Sequence, residues 1–189
     1  RLSIIDVQGG HQPVFNENGK VVLICNGEIY NYGQLKNELQ NCGHRFATKS
    51  DVEVIVHLYE DFGDEFLHKI RGMFALALYD LGSDRLILAR DRIGIKPLYY
   101  TSQNDSLFFA SELKSILENP GVERDISFEA LSDYLTYMYI PAPGTIFSKI
   151  YKLPPAHILI YEKGDITLRR YWEVPVRKME GYSETFYAE

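Results

Sequence analysis

A carboxamide and a glycine end an apolar run at Val21-Val22-Leu23-Ile24-Cys25-Asn26-Gly27. A side-chain N–H from Asn26 and a backbone N–H from Gly27 can be aimed at one point. Two converging donors are what catalysis needs where a carbonyl oxygen becomes negative. The same dipeptide is also the commonest sequence of a tight hairpin turn. Two further groups change the balance. Arg1 heads an apolar strand, and Asp51 opens a predicted helix. A guanidinium forks onto a carboxylate and an aspartate takes an ammonium. Together they are the smallest set that holds a free amino acid by its two charged ends. Asn26 and Gly27 then stand where a side-chain amide would lie.

The elements that must position these groups alternate in type. Strands are expected at Leu2 to Val7, Lys20 to Cys25, Met73 to Asp80, Arg85 to Arg90, Leu98 to Ser102 and Leu107 to Ala110. Gly9-Gly10, Asn18-Gly19, Gly82-Ser83-Asp84 and Asn104-Asp105 separate them as turns. Close spacing between residues 73 and 110 predicts an antiparallel meander. Asn31 and Gln34 suggest a capped helix over Tyr32 to Asn41, with Leu35 and Leu39 on its apolar stripe and Gly43 as its stop. Ser50 and Glu53 read as a capping box for a helix over Asp51 to Asp61, ended by Gly63. Shorter helices fit Glu65 to Ile70 and Glu112 to Leu117. A further helix, opened by Asp125 or Ser127, reaches Tyr139. After Pro141-Ala142-Pro143-Gly144 a last hairpin pairs Ala156 to Tyr161 with Ile166 to Trp172. Antiparallel strands with helices outside them predict an α+β fold.

The chain has 189 residues, 46% of them hydrophobic, which predicts one well-packed domain. No apolar run approaches the ~18–20 residues that span a bilayer. The net charge of −6 and the lack of a basic stripe argue against nucleic-acid binding. Cys25 and Cys42 form no metal or disulfide framework, so a reduced, cytoplasmic setting is expected. The histidines are scattered, and the sequence supports no metal site.

Several ordered blocks resemble the glutaminase domain of glutamine-hydrolysing asparagine synthetases. They are Arg1-Leu2-Ser3-Ile4-Ile5-Asp6, Gly10-His11-Gln12-Pro13, Asn26-Gly27-Glu28-Ile29-Tyr30-Asn31, Ser50-Asp51-Val52-Glu53-Val54-Ile55 and Gly72-Met73-Phe74-Ala75. Further on come Leu88-Ala89-Arg90-Asp91-Arg92, Gly94, Lys96-Pro97-Leu98-Tyr99-Tyr100, Phe109-Ala110-Ser111-Glu112-Leu113-Lys114 and Leu153-Pro154-Pro155-Ala156-His157. The resemblance covers Arg1 to about Trp172. It implies a class II glutamine amidotransferase with a four-layer αββα fold like that of N-terminal-nucleophile hydrolases. An N-terminal cysteine would attack the glutamine amide, with its own α-amino group as base. Arg1 would bind the substrate carboxylate, with Leu2, Ile4 and Ile5 lining the site. Asn26 and Gly27 would form the oxyanion hole, and Glu28 and Asp51 would hold the amino end of L-glutamine. The family pairs this domain, here residues 1–175 followed by a connector over 176–189, with a synthetase domain that uses ATP and Mg to amidate L-aspartate.

The chain departs from that pattern in two places. It opens at Arg1 without the family's Met-Cys-Gly segment, and it has no Ser-Gly-Gly-x-Asp-Ser loop for ATP. It is therefore expected to bind no cofactor itself, to be inactive alone, and to expose an apolar face that favours a homodimer. Cys25 adjoins Asn26, but an internal residue lacks a free α-amino group, so it reads as a packing residue. Arg90-Asp91-Arg92 reads as a hairpin turn with an internal ion pair. Two other functions fit the same fold: a scaffold without catalysis, as in β-lactam synthetases, or an amidotransferase serving another acceptor.

Overall fold

The computed structural model describes residues 11–176 of the chain. The expected opening strand, Arg1, Leu2, Ile4, Ile5 and nearly all of the connector lie outside the described residues. Among those described, nine strands form two antiparallel sheets. The larger has β1 (Val14–Phe15), β2 (Val21–Ile29), β3 (Gly72–Asp80), β4 (Arg85–Arg90), β8 (His157–Glu162) and β9 (Asp165–Arg170), side by side in that order. The smaller has β5 (Tyr99–Gln103) between β6 (Ser106–Ala110) and β7 (Tyr151–Lys152).

Three apolar interfaces make four layers of these elements. On one face of the large sheet, Leu23, Cys25, Ile29, Leu76, Leu78 and Ile87 pack against α1 (Tyr32–Asn41), α2 (Val54–Phe62) and α3 (Phe66–Lys69). On its other face Ala75, Ala77, Leu88 and Leu159 meet Tyr100, Leu107 and Phe109 of the small sheet, with Leu98 just before it. Beyond that sheet, Ile116 of α4 (Leu113–Leu117) packs with Val122 and Ile150. The order is helix, sheet, sheet, helix, the αββα arrangement expected. Strands buried on both faces carry near-continuous apolar runs such as Phe74-Ala75-Leu76-Ala77-Leu78, which explains why periodicity alone under-describes them. A fifth helix, α5 (Phe128–Tyr137), is opened by Ser127, whose hydroxyl accepts from Ala130 N–H at 3.2 Å, and closes on Met138 at φ 62°.

Several expectations need correction. β2 does not stop at Cys25; it runs through Asn26-Gly27-Glu28 to Ile29, each residue paired with β3. The Asn-Gly pair is thus inside a strand, neither at its end nor in a turn. The meander is split, because β4 pairs with β8 while β5 and β6 form the other sheet. Neither capping box forms. Asn31 spends its amide on Lys69 C=O and Arg71 N–H, tying α1 to the approach of β3. Glu53 accepts from Ala47 N–H and Thr48 N–H, reaching the loop before Ser50 and not Ser50 itself. Asp51–Glu53 is a 3-10 turn that leads into α2, and Gly63 ends that helix at φ 52° as expected. β1 and β7 have two residues each, too short to show a period.

Arg90-Asp91-Arg92 is structural but holds no ion pair between its members among the described residues. Arg90 donates to Lys96 C=O, Gly94 C=O and Leu153 C=O at 2.7–2.8 Å. Its guanidinium is pushed below its usual pKa by burial. The buried Asp91 carboxylate accepts from four backbone amides: Phe74 and Lys96 on one oxygen, Ile93 and Ile95 on the other. The segment is a clasp that carries the chain from the large sheet to the small one. Asp91→Asn should cost about 2 kcal/mol in chemical denaturation, because either amide orientation sets an NH2 against two N–H donors.

Candidate active site

Alternation along β2 sorts its side chains. Val21, Leu23, Cys25 and Ile29 are buried toward the helices, so Ile24, Asn26 and Glu28 face the small sheet. There a cleft of about 210 Å³ opens between the sheets, lined in part by Ile24, Asn26, Ala75, Leu98, Phe109 and Ser111. Asn26 Nδ2 donates to Ser111 Oγ at 3.2 Å, which fixes the amide across the mouth of the cleft. Small residues at Ala75, Ala77 and Ala110 keep it open.

The outer margin of β2 carries a second set of polar groups. The Gln12 side chain accepts from Cys25 N–H at 2.8 Å and donates to Cys25 C=O at 2.9 Å, copying a strand partner. Four residues on, Ile29 N–H donates to Asp51 Oδ2 at 2.7 Å. Gly27 lies between them. Its cross-strand partner Phe74 turns both backbone groups the other way, to Asp91. Gly27 and Phe74 are therefore a non-hydrogen-bonded pair, and the Gly27 N–H faces the same outer side as those of Cys25 and Ile29. Only glycine fits there: a Cβ would lie 2.1 Å from Met73 C=O oxygen.

Asn26, Gly27 and Glu28 thus follow one another on β2, the Asn26 side chain on the cleft face and the Gly27 N–H on the outer margin, where Asp51 reaches the strand through Ile29 N–H. Asp51 is 4% exposed, not the solvated first-turn acid that its helical position alone suggests, and Glu28 is half-buried beside the residue it binds. Arg1, Leu2, Ile4 and Ile5 lie outside the described residues. Cys25 borders the cleft but is buried in the apolar cluster on the helical face, on the opposite side of β2 from the Asn26 side chain. Cys42 is exposed at the end of α1. Sequence reasoning gave no role to Gln12 and Ser111. Both lie in the blocks that carried the resemblance, and that was the one signal available.

A family model described as a glutamine amidotransferase domain matches residues 1–172. The chain is 40% identical over 181 residues to asparagine synthetase (glutamine-hydrolyzing) 1 of Bacillus subtilis, covering 95% of this chain and 28% of that protein. It is 52% identical over 134 residues to asparagine synthetase (glutamine-hydrolyzing) 2 of the same organism, covering 70% and 18%. The chain thus spans less than a third of the length of these relatives. Among solved structures, the glutamine phosphoribosylpyrophosphate amidotransferase of Bacillus subtilis superposes with a TM-score of 0.60 at 23% identity, over 85% of this chain and 32% of that one. That likeness concerns the fold, and it agrees with the two stacked antiparallel sheets. With nearly the whole chain matched by the family model, and with the fold in agreement, this chain belongs to the glutamine amidotransferase domain family.

Proposed function

We propose that the chain is the glutaminase part of a glutamine-hydrolysing asparagine synthetase. In this reading it binds L-glutamine and releases ammonia for ATP-dependent amidation of L-aspartate in a further domain. The observation that carries it is the spacing along β2. From Asn26 to Ile29, which Asp51 grips, the strand advances about 10 Å. The amide oxygen of an extended glutamine lies about 5–6 Å from its α-nitrogen, given ordinary bond lengths. A hydrogen bond of about 2.9 Å at each end brings the span to about 11 Å. The two lengths agree, with the carboxamide end at Asn26 and Gly27 and the ammonium end at Glu28 and Asp51.

The chemistry follows from the donors. Asn26 offers an amide on the cleft face and Gly27 a backbone N–H on the strand margin. Their directions suit an oxyanion formed at the rim where cleft and margin meet. The nucleophile in this reading is the N-terminal cysteine that the family resemblance implies. Arg1 would complete the cradle at the substrate carboxylate. A partner domain also accounts for the surface of α5, where Phe128, Leu135 and Met138 are 81%, 72% and 74% exposed. With Leu131 they make an apolar stripe at helical spacing, which a larger assembly would cover.

Asp51→Asn in the full-length protein tests the cradle. The amide keeps an oxygen for Ile29 N–H, so thermal stability should hardly change. A charge-assisted hydrogen bond to the substrate ammonium is lost, about 1.5–3 kcal/mol, so KM for glutamine should rise about 10- to 100-fold. Ammonia-driven synthesis should be untouched. An unchanged KM would remove Asp51 from the site.

A further inference from the structure

We propose that Glu17, His44, His57 and Glu60 form a four-coordinate site for a borderline divalent metal ion of the zinc type, on the helical side of the large sheet and away from the cleft. The four residues come from three segments. Glu17 sits in the β1–β2 connection, His44 follows α1, and His57 and Glu60 are one turn apart on α2. One donor atom of each lies within 4.8 Å of the others.

The arrangement within that sphere is specific. Both imidazoles turn Nδ1 toward the two glutamates. His57 Nδ1 is 3.2 Å from Glu17 Oε2 and 3.6 Å from Glu60 Oε2. His44 Nδ1 is 3.3 Å from Glu17 Oε1 and 3.9 Å from Glu60 Oε2. With metal–ligand bonds near 2.0–2.2 Å, the edge of a tetrahedron is about 3.3–3.6 Å, so each imidazole Nδ1 already stands about one edge from a Glu17 oxygen, and closing the set from its 4.8 Å spread takes only small side-chain shifts. Both imidazoles turn Nε2 away, toward a second carboxylate: Asp61 Oδ1 at 3.1 Å from His44, and Glu53 Oε1 at 3.7 Å from His57. That pairing is how histidine ligands are oriented at metal centres. The glutamates are held as well. Asn16 Nδ2 donates to Glu60 Oε1 at 2.7 Å, and Arg45 N–H donates to Glu17 Oε1 at 2.9 Å.

His57 supplies the independent reason to expect a ligand. It is fully buried, and neither ring nitrogen makes an aligned hydrogen bond. A buried polar side chain left so is costly; a metal bond would satisfy Nδ1 and leave the Nε2–H to Glu53, 3.7 Å away. One dication balances the charge of the two ligand carboxylates. Mixed imidazole and carboxylate ligands suit zinc and its neighbours better than magnesium or calcium. Four protein ligands close the sphere, so the role is structural. Such an ion would pin the start of β2, the end of α1 and the whole of α2, the helix whose leading turn presents Asp51.

The test uses the full chain stripped with a chelator and titrated with zinc, then with cobalt as a spectroscopic probe. One ion per chain is expected, with a rise in Tm and the intense visible absorption of tetrahedral cobalt. Loss of an outer-shell partner alone weakens metal binding about 10- to 100-fold, so His44→Ala and Glu60→Gln should each weaken it by more than about 100-fold. Glu60 is only partly buried, so that variant should fold even where His44→Ala does not. His68→Ala, an exposed histidine paired with Glu65 elsewhere, should bind as the parent does. No saturable binding by the parent chain, or unchanged affinity in Glu60→Gln, overturns the proposal.

Discussion

Asn26→Ala in the full-length protein is expected to lower glutaminase kcat about 10²–10³-fold, with ammonia-dependent synthesis intact. The magnitude is that of losing one donor to a developing oxyanion. The proposed reaction balances as an acyl transfer: the thiolate sulfur bonds to the amide carbon, the C–N bond breaks, and the nitrogen leaves as ammonia after taking a proton. Water then splits the thioester to glutamate and regenerates the thiol. In both steps the carbonyl oxygen passes through a negative state, and in the proposed reading the donors on β2 act there. KM should change little, since an oxyanion donor at Asn26 would interact more strongly with the transition state than with the ground state. The structure also marks a confounding contact, because Asn26 Nδ2 already donates to Ser111 Oγ at 3.2 Å. Ser111→Ala removes that contact and leaves the amide itself in place, so it should cost far less than Asn26→Ala. Equal losses in the two variants would mean that Asn26 acts only by shaping the cleft. A normal glutaminase rate in Asn26→Ala would refute the oxyanion assignment outright.

How much of this was legible beforehand can be judged at particular residues. Tyr32–Asn41 and Arg85–Arg90 coincide with the expected elements, because a period and a stop signal agreed in each. The continuation of β2 through Asn26-Gly27-Glu28 was hidden. Those residue types favour turns locally, and pairing with β3 overrides that preference. The pairing of β4 with β8 was hidden too, since contacts between residues 85 and 162 leave no mark on local pattern. Expected caps at Asn31 and Ser50 failed because both segments use their side chains or neighbours for tertiary ties. The polar groups of the site were legible through their types and through the resemblance. Their common location was not, because it depends on the single hydrogen bond from Ile29 N–H to Asp51. The meeting of His44 with His57 was equally invisible, since neither spacing nor neighbours announce it.

Gly27→Ala should be the most damaging small substitution in β2, at about 4 kcal/mol of stability together with loss of glutaminase. The added methyl would stand 2.1 Å from Met73 C=O oxygen and 2.7 Å from Phe74 Cα, both backbone atoms that no rotamer change can move. Gly72 mirrors the constraint from the facing strand, where a Cβ would come within 2.2 Å of Glu28 C=O oxygen. β2 and β3 therefore approach too closely at this end for a side chain on either inner position. Relief requires the strands to part, and that breaks a ladder whose far side is anchored to Asp91. Overpacking a rigid core costs about 1–3 kcal/mol, and a backbone displacement goes beyond it. Parting the strands also turns the Gly27 N–H away from the margin it shares with Gln12 and Asp51. Stability and catalysis should accordingly fall together here, whereas in Asn26→Ala only catalysis should fall. Gly19→Ala sets the scale for a glycine needed for its dihedral alone: φ is +71° and no atom lies within 4 Å of the added Cβ, so a loss of about 1 kcal/mol is expected with normal activity. Denaturant midpoints and glutaminase rates measured on all three variants separate close approach from dihedral strain and both from chemistry. A Gly27→Ala protein as stable as its parent would mean that the strands do not approach as closely as described.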